Sequence, residues 1–80
     1  MNVNEQSIRF TIDVIAAKVA EMLSRETGKA ATEALSDFMA TKTYRLLLNP
    51  KSFLFLESPA YIIDMIAAEQ SGDWGTWLEV

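Results

Sequence analysis

Apolar residues recur along the first third of the chain at spacings of three and four: Ile8, Ile12, Ile15, Val19 and Met22 or Leu23. That period fits one stripe of an amphipathic helix and predicts a helix over about 4–26, ended by Gly28. Glu5 with Arg9 and Glu21 with Arg25 stand four apart, in the favourable order, on its expected solvent face. Such pairs contribute about 0.2–0.5 kcal/mol each. Phe10 and Val14 fall off the main stripe. Their apolar character asks for more than one packing neighbour, either from a helix wrapped on two sides or from a face that meets a second copy.

The pattern resumes near Ala30 to Thr32 with Leu35, Phe38 and Met39, which predicts a second helix over about 31–40. Ala31 and Ala34 are small enough to let a neighbouring helix approach closely. Thr41 is suited to cap a restart, and Tyr44, Leu47 and Leu48 then recur over a third helix at about 42–48. Asn49-Pro50 stops that helix, because the residue before a proline is pushed out of the helical region. Ser58-Pro59 starts a fourth over about 59–71: the serine oxygen accepts from first-turn amides, and proline at the first position loses no hydrogen bond.

Only Asp64, Glu69 and Gln70 interrupt the apolar character of that last helix, which predicts a central position in the domain or a place between protomers. Gly72 caps it, and an ordered tail is expected beyond, because Trp74, Trp77, Leu78 and Val80 call for a docking surface. The expected fold is all-α: a small compact bundle of three to four helices in a single domain, 1–80.

Between the two prolines runs Phe53-Leu54-Phe55-Leu56, with no polar residue until Glu57. Four apolar residues exposed together are an aggregation hazard, so the run must be covered. Covered by the first helix it is a hydrophobic plug; left bare by that helix it is a partner surface. The candidate partner-binding residues are therefore Phe53, Phe55, Trp74, Trp77 and Leu78.

Composition narrows the chemistry. Eighty residues make one thin-cored domain that buries only about 60% of its unfolded surface. Without cysteine there are no disulfides, thiolate nucleophiles or zinc-thiolate sites, and without histidine the usual neutral-pH general base is missing. No nucleophile has an adjacent base and no glycine loop is present to cradle phosphate, so neither catalytic nor cofactor-binding residues are expected. Glu33 and Asp37 stand at i, i+4, but such pairs are routine on solvated helix faces and Lys29 is placed to relieve Glu33, so no metal is expected.

Charge is lopsided: residues 1–56 hold all seven basic side chains against six acidic ones, whereas 57–80 hold five acidic and none basic. Lys42, Arg45 and Lys51 form the one basic cluster, and the alternative it raises is a dimeric nucleic-acid-associated regulator. Three cations are few for gripping a phosphate backbone, so a solvated rim facing the acidic C-terminal third is the preferred reading. Neither a signal-peptide pattern nor a membrane-length apolar run is present, giving the expectation of a cytoplasmic chain with no membrane partner.

Over about residues 26–70, the strings Leu35-Ser36-Asp37-Phe38, Lys42-Thr43-Tyr44-Arg45-Leu46-Leu47, Asn49-Pro50-Lys51-Ser52 and Leu56-Glu57-Ser58-Pro59-Ala60-Tyr61-Ile62-Ile63-Asp64 resemble a family of short uncharacterised bacterial proteins. Its members are often encoded in toxin-antitoxin-like gene clusters. One departure is Ala30, where a serine would complete a capping box with Glu33. The resemblance implies a non-catalytic module that works by binding protein, as a homo-oligomer or with a small protein partner.

Overall fold

A computed structural model describes residues 5–72 of the chain. All regular structure among them is helical: α1 (Glu5–Thr27), α2 (Ala31–Met39), α3 (Lys42–Leu48), two single 3-10 turns (Pro50–Ser52 and Leu54–Leu56), and α4 (Pro59–Ser71). The predicted bundle is present, with each helix end within a residue or so of its expected place. Trp74, Trp77 and Leu78 lie outside the described residues. No helix among the described residues is long and apolar enough to cross a membrane.

α1 is the wall on which the rest is built. Its stripe of Ile12, Ile15, Ala16 and Val19 is buried, and α2, α3, α4 and the second 3-10 turn all pack on it. The α1–α2 connection reverses the chain in three residues: Gly28 takes φ +77°, open to glycine without strain, and its amide donates to the Ser24 carbonyl at 2.9 Å. Ser24 Oγ donates to the Lys29 carbonyl at 2.6 Å, closing the turn. Ala16 and Ala20 on α1 and Ala34 on α2 are buried, and their small side chains permit the close approach of the two helices. Phe38, Leu47, Ile62 and Val19 form the centre, with the Phe38 ring meeting Tyr44 edge-on at a centroid distance of 5.2 Å.

Two expectations about packing change. α4 buries one face, Ile62, Met65 and Ile66, while Ala60, Asp64 and Ala67 are exposed, so α1 rather than α4 is the hub. Phe10 and Val14 lie on the side of α1 turned roughly 150–170° from its buried stripe. They are 69% and 44% exposed, so the described residues provide no second wrapping of this helix. Arg25 pairs with Glu21 at 2.7 Å as the spacing predicts, and Arg9 stands 3.6 Å from Asp13.

Phe38→Ala is expected to lower stability by about 3–5 kcal/mol, because it empties a ring-sized volume that four helices share. Met39→Ala, at a side chain 49% exposed, is expected to cost no more than about 0.5 kcal/mol. Urea midpoints of the two variants check the contrast.

Candidate interaction surface

The loop between α3 and α4 is built by two polar residues. Asn49 leaves the helical region, as a residue before proline must, and its Oδ1 accepts from the Lys51 amide at 3.0 Å. Ser52 Oγ lies 2.7 Å from the Leu46 carbonyl and 2.8 Å from the Asn49 carbonyl, to which it donates, and accepts from the Leu54 amide at 3.2 Å. One hydroxyl thus ties the loop to the last turn of α3. Phe53 then adopts φ +58°, ψ +16°, a left-handed conformation rare for a bulky side chain.

That step divides the apolar run. Leu54 is 7% exposed and joins the core, and Phe55 is partly buried against it. Phe53 and Leu56 are 62% and 71% exposed. They stand three residues apart, joined by the Leu56 amide donating to the Phe53 carbonyl at 3.0 Å, the spacing at which side chains align in 3-10 geometry. The run is therefore neither wholly plug nor wholly surface. Of the candidates, Phe53 faces outward and Phe55 serves mainly as packing; Leu56, named before only as part of the run, takes its place at the edge. Glu57 and Ser58 follow, and Ser58 Oγ accepts from the Tyr61 amide at 3.2 Å to start α4 as expected.

Between α2 and α4, which both pack on α1 and touch each other little, lies a groove of about 270 Å³. Leu23, Phe38 and Ile66 line it, and the ion pair of Lys29 and Asp37, 2.8 Å apart, stands at its rim. Lys29 thus reaches Asp37 rather than Glu33. The hydrogen bond and charge of Asp37 hold the Lys29 ammonium above its ordinary value.

Lys42 and Arg45 lie one turn apart on α3 and are exposed, while Lys51 sits beyond the helix end in the first 3-10 turn. The start of α3 carries a contact that the sequence did not announce. Thr41 caps it from within, accepting from the Tyr44 amide at 3.1 Å and donating to the Phe38 carbonyl at 2.7 Å. Glu69, reaching across from α4, takes the amides of Lys42 (3.0 Å) and Thr43 (2.9 Å) and the Thr43 hydroxyl (2.8 Å). Thr43 is fully buried, so Glu69 is also what satisfies its hydroxyl. The one signal available was a glutamate on a largely apolar helix, 27 positions from its partner. Lys42-Thr43-Tyr44 and Glu57-Ser58-Pro59 are in this structure a doubly capped helix start and a capped loop exit.

Fold and surface together define a small all-helical domain with an exposed apolar loop edge. Comparison with protein-family models, curated proteins and solved structures finds no match to this chain.

Desolvation raises the affinity of the Glu69 carboxyl for protons, but the Lys42 and Thr43 amides, the Thr43 hydroxyl and the Lys42 charge outweigh it and hold the group below its ordinary range. A carboxylate whose pKa is lower folded than unfolded stabilises at neutral pH and loses that contribution as pH falls through its folded value. In Glu69→Gln the amide group meets the Lys42 N–H donor to donor, at a cost of about 1–2 kcal/mol at neutral pH. The gap between wild type and variant is expected to close as pH falls through and below the ordinary carboxylate range, read from urea midpoints along a pH series. Phe53→Gly is expected to stabilise by about 0.5 kcal/mol, since relief of roughly 1–2 kcal/mol of left-handed strain exceeds the added chain entropy of glycine. Its thermal midpoint should rise.

Proposed function

We propose that this protein is a non-catalytic, cytoplasmic interaction module that docks another protein on the loop edge formed by Phe53 and Leu56. The observation that carries the reading is that a strained backbone step holds a large aromatic ring in solvent: Phe53 sits at φ +58° and is 62% exposed, with Leu56 beside it at 71%. Strained residues persist where surrounding structure over-determines them, and they cluster at binding and switch sites. Here Ser52 and Asn49 supply that determination, so the edge is presented on a braced loop and little ordering entropy is lost on docking. Aromatic and aliphatic anchors of this kind carry most of the energy at protein interfaces. The resemblance to short bacterial proteins of toxin-antitoxin-like clusters supports the same reading, with this chain as one component of such a pair.

A photo-crosslinking phenylalanine analogue placed at position 53 in the producing cell is expected to yield one discrete adduct, absent when the analogue stands at Glu33 on α2. Leu56→Asp should remove the adduct while far-UV circular dichroism remains unchanged. An identical adduct pattern at both positions, or none at position 53, overturns the proposal.

A further inference from the structure

We infer that residues 73–80 pack back into the groove between α2 and α4, with Trp74 and Trp77 as the side chains that fill it. The groove is an apolar trough floored by Phe38 and Ile66, 1% and 4% exposed. Leu23 of α1 and Ile63 and Ala67 of α4 also line it, the first two partly buried and Ala67 exposed. On α4 the lining residues Ile63, Ile66, Ala67 and Gln70 recur at three and four, one stripe set beside the face that this helix buries. Part of the apolar surface that α4 leaves uncovered thus looks into this groove.

The chain leaves α4 at an end of the groove. Gln70 lines it, and Gly72 closes the helix two residues later at φ +86°, its amide donating to the Glu69 carbonyl at 3.3 Å. A left-handed residue at this place turns the chain off the line of the helix. From Ile63 to Gln70 the groove follows α4 for about 10 Å, at a rise of roughly 1.5 Å per residue. Extended chain covers about 3.3 Å per residue, so residues 73–78 reach about 20 Å and bring Trp74, Trp77 and Leu78 all within range. Each tryptophan has roughly 150–250 Å² to bury, and Glu26 and Gln70, exposed along the groove, carry oxygen acceptors for an indole N–H. The groove volume of about 270 Å³ lies below the roughly 300–1,000 Å³ of sites that enclose a small molecule. A segment tethered two residues away competes at an effective concentration of about millimolar, ahead of a separate partner or a second copy. Size and tether together select this chain's own tail as the occupant.

Neither Phe53 nor Leu56 lines this groove, and the inference stands apart from the function proposed for that edge. Trp74 and Trp77 are the two tryptophans of the chain, so intrinsic tryptophan fluorescence reads this segment alone. In the full chain the emission is expected to be blue-shifted and shielded from acrylamide relative to the same chain in urea, independently of protein concentration. Ala67→Glu, at an exposed position of α4, is expected to abolish both the shift and the shielding while far-UV circular dichroism stays helical. Val14→Glu, on the outer face of α1, is expected to leave both intact. A second readout leaves the groove undisturbed: a nitroxide on Glu26→Cys, in a chain with no other cysteine, is expected to quench the tryptophans. The same label on Ser36→Cys, on the side of α2 turned away from the groove, is expected not to. Tryptophans as accessible as in urea, shielding that Ala67→Glu leaves in place or Val14→Glu removes, shielding that grows with protein concentration, or equal quenching from both labels overturns the inference. Leu56→Asp should keep the wild-type emission, so failure of the loop edge and failure of this groove give different results.

Discussion

Every helix after α1 is too short to persist alone, and the whole fold rests on the apolar stripe that α1 offers them. α2, α3 and α4 have 9, 7 and 13 residues, at or below the roughly 12–15 residues at which an isolated helix is marginal in water. Nucleation has to be supplied by caps and stability by packing on α1. The caps are correspondingly dense: Thr41 and Glu69 at α3, Ser58 and Pro59 at α4, Gly72 at the end of α4. α2 starts at Ala30 with no side-chain cap and depends most on its burial of Ala34 and Phe38 against α1.

The Glu69 contact shows how polar chemistry joins what apolar packing only brings near. α3 has seven residues, so its first-turn amides are a large share of its backbone donors. Two are met by a carboxylate from another helix, and a negative charge there also suits the partial positive charge of a helix start. The same carboxylate satisfies the buried Thr43 hydroxyl, so α3 and α4 are locked in both register and distance. Hydrophobic contact alone, being non-directional, would leave a one-turn-longer or one-turn-shorter docking nearly as good.

Much of this was legible in the sequence, and the reasons separate local from non-local causes. Thr41, Ser58, Pro59, Gly28 and Gly72 act on residues within four positions, and the sequence carries those signals complete. Glu69 acts on amides 26 and 27 positions away, and no spacing rule reaches that far. The role of Ser52 was hidden for a different reason: its partners are carbonyls of Leu46 and Asn49, backbone groups that every residue carries. α4 is apolar without being enclosed, burying only the face of Ile62, Met65 and Ile66. Three of its eight apolar residues, Ala60, Ala67 and Ala68, are alanine, which sits on a surface at little cost.

The divided run Phe53–Leu56 follows from a constraint of the backbone rather than from a shortage of core. Leu54 reaches the core only because the chain bends at Phe53, and the bend is closed by the Leu56 amide on the Phe53 carbonyl and the Glu57 amide on the Leu54 carbonyl. Turning Leu56 inward would break those bonds and lift Leu54 out, exchanging one buried leucine for another and leaving two amides to find new acceptors. The exposure of Phe53 and Leu56 is thus coupled to the burial of Leu54 and cannot be removed by a local rearrangement. A sequence under no other demand resolves such a conflict by placing glycine or asparagine at the left-handed position and a polar residue three places on. This chain places phenylalanine and leucine there, which makes the loop the part of the fold where local preference and solubility are both set aside in favour of a presented apolar edge.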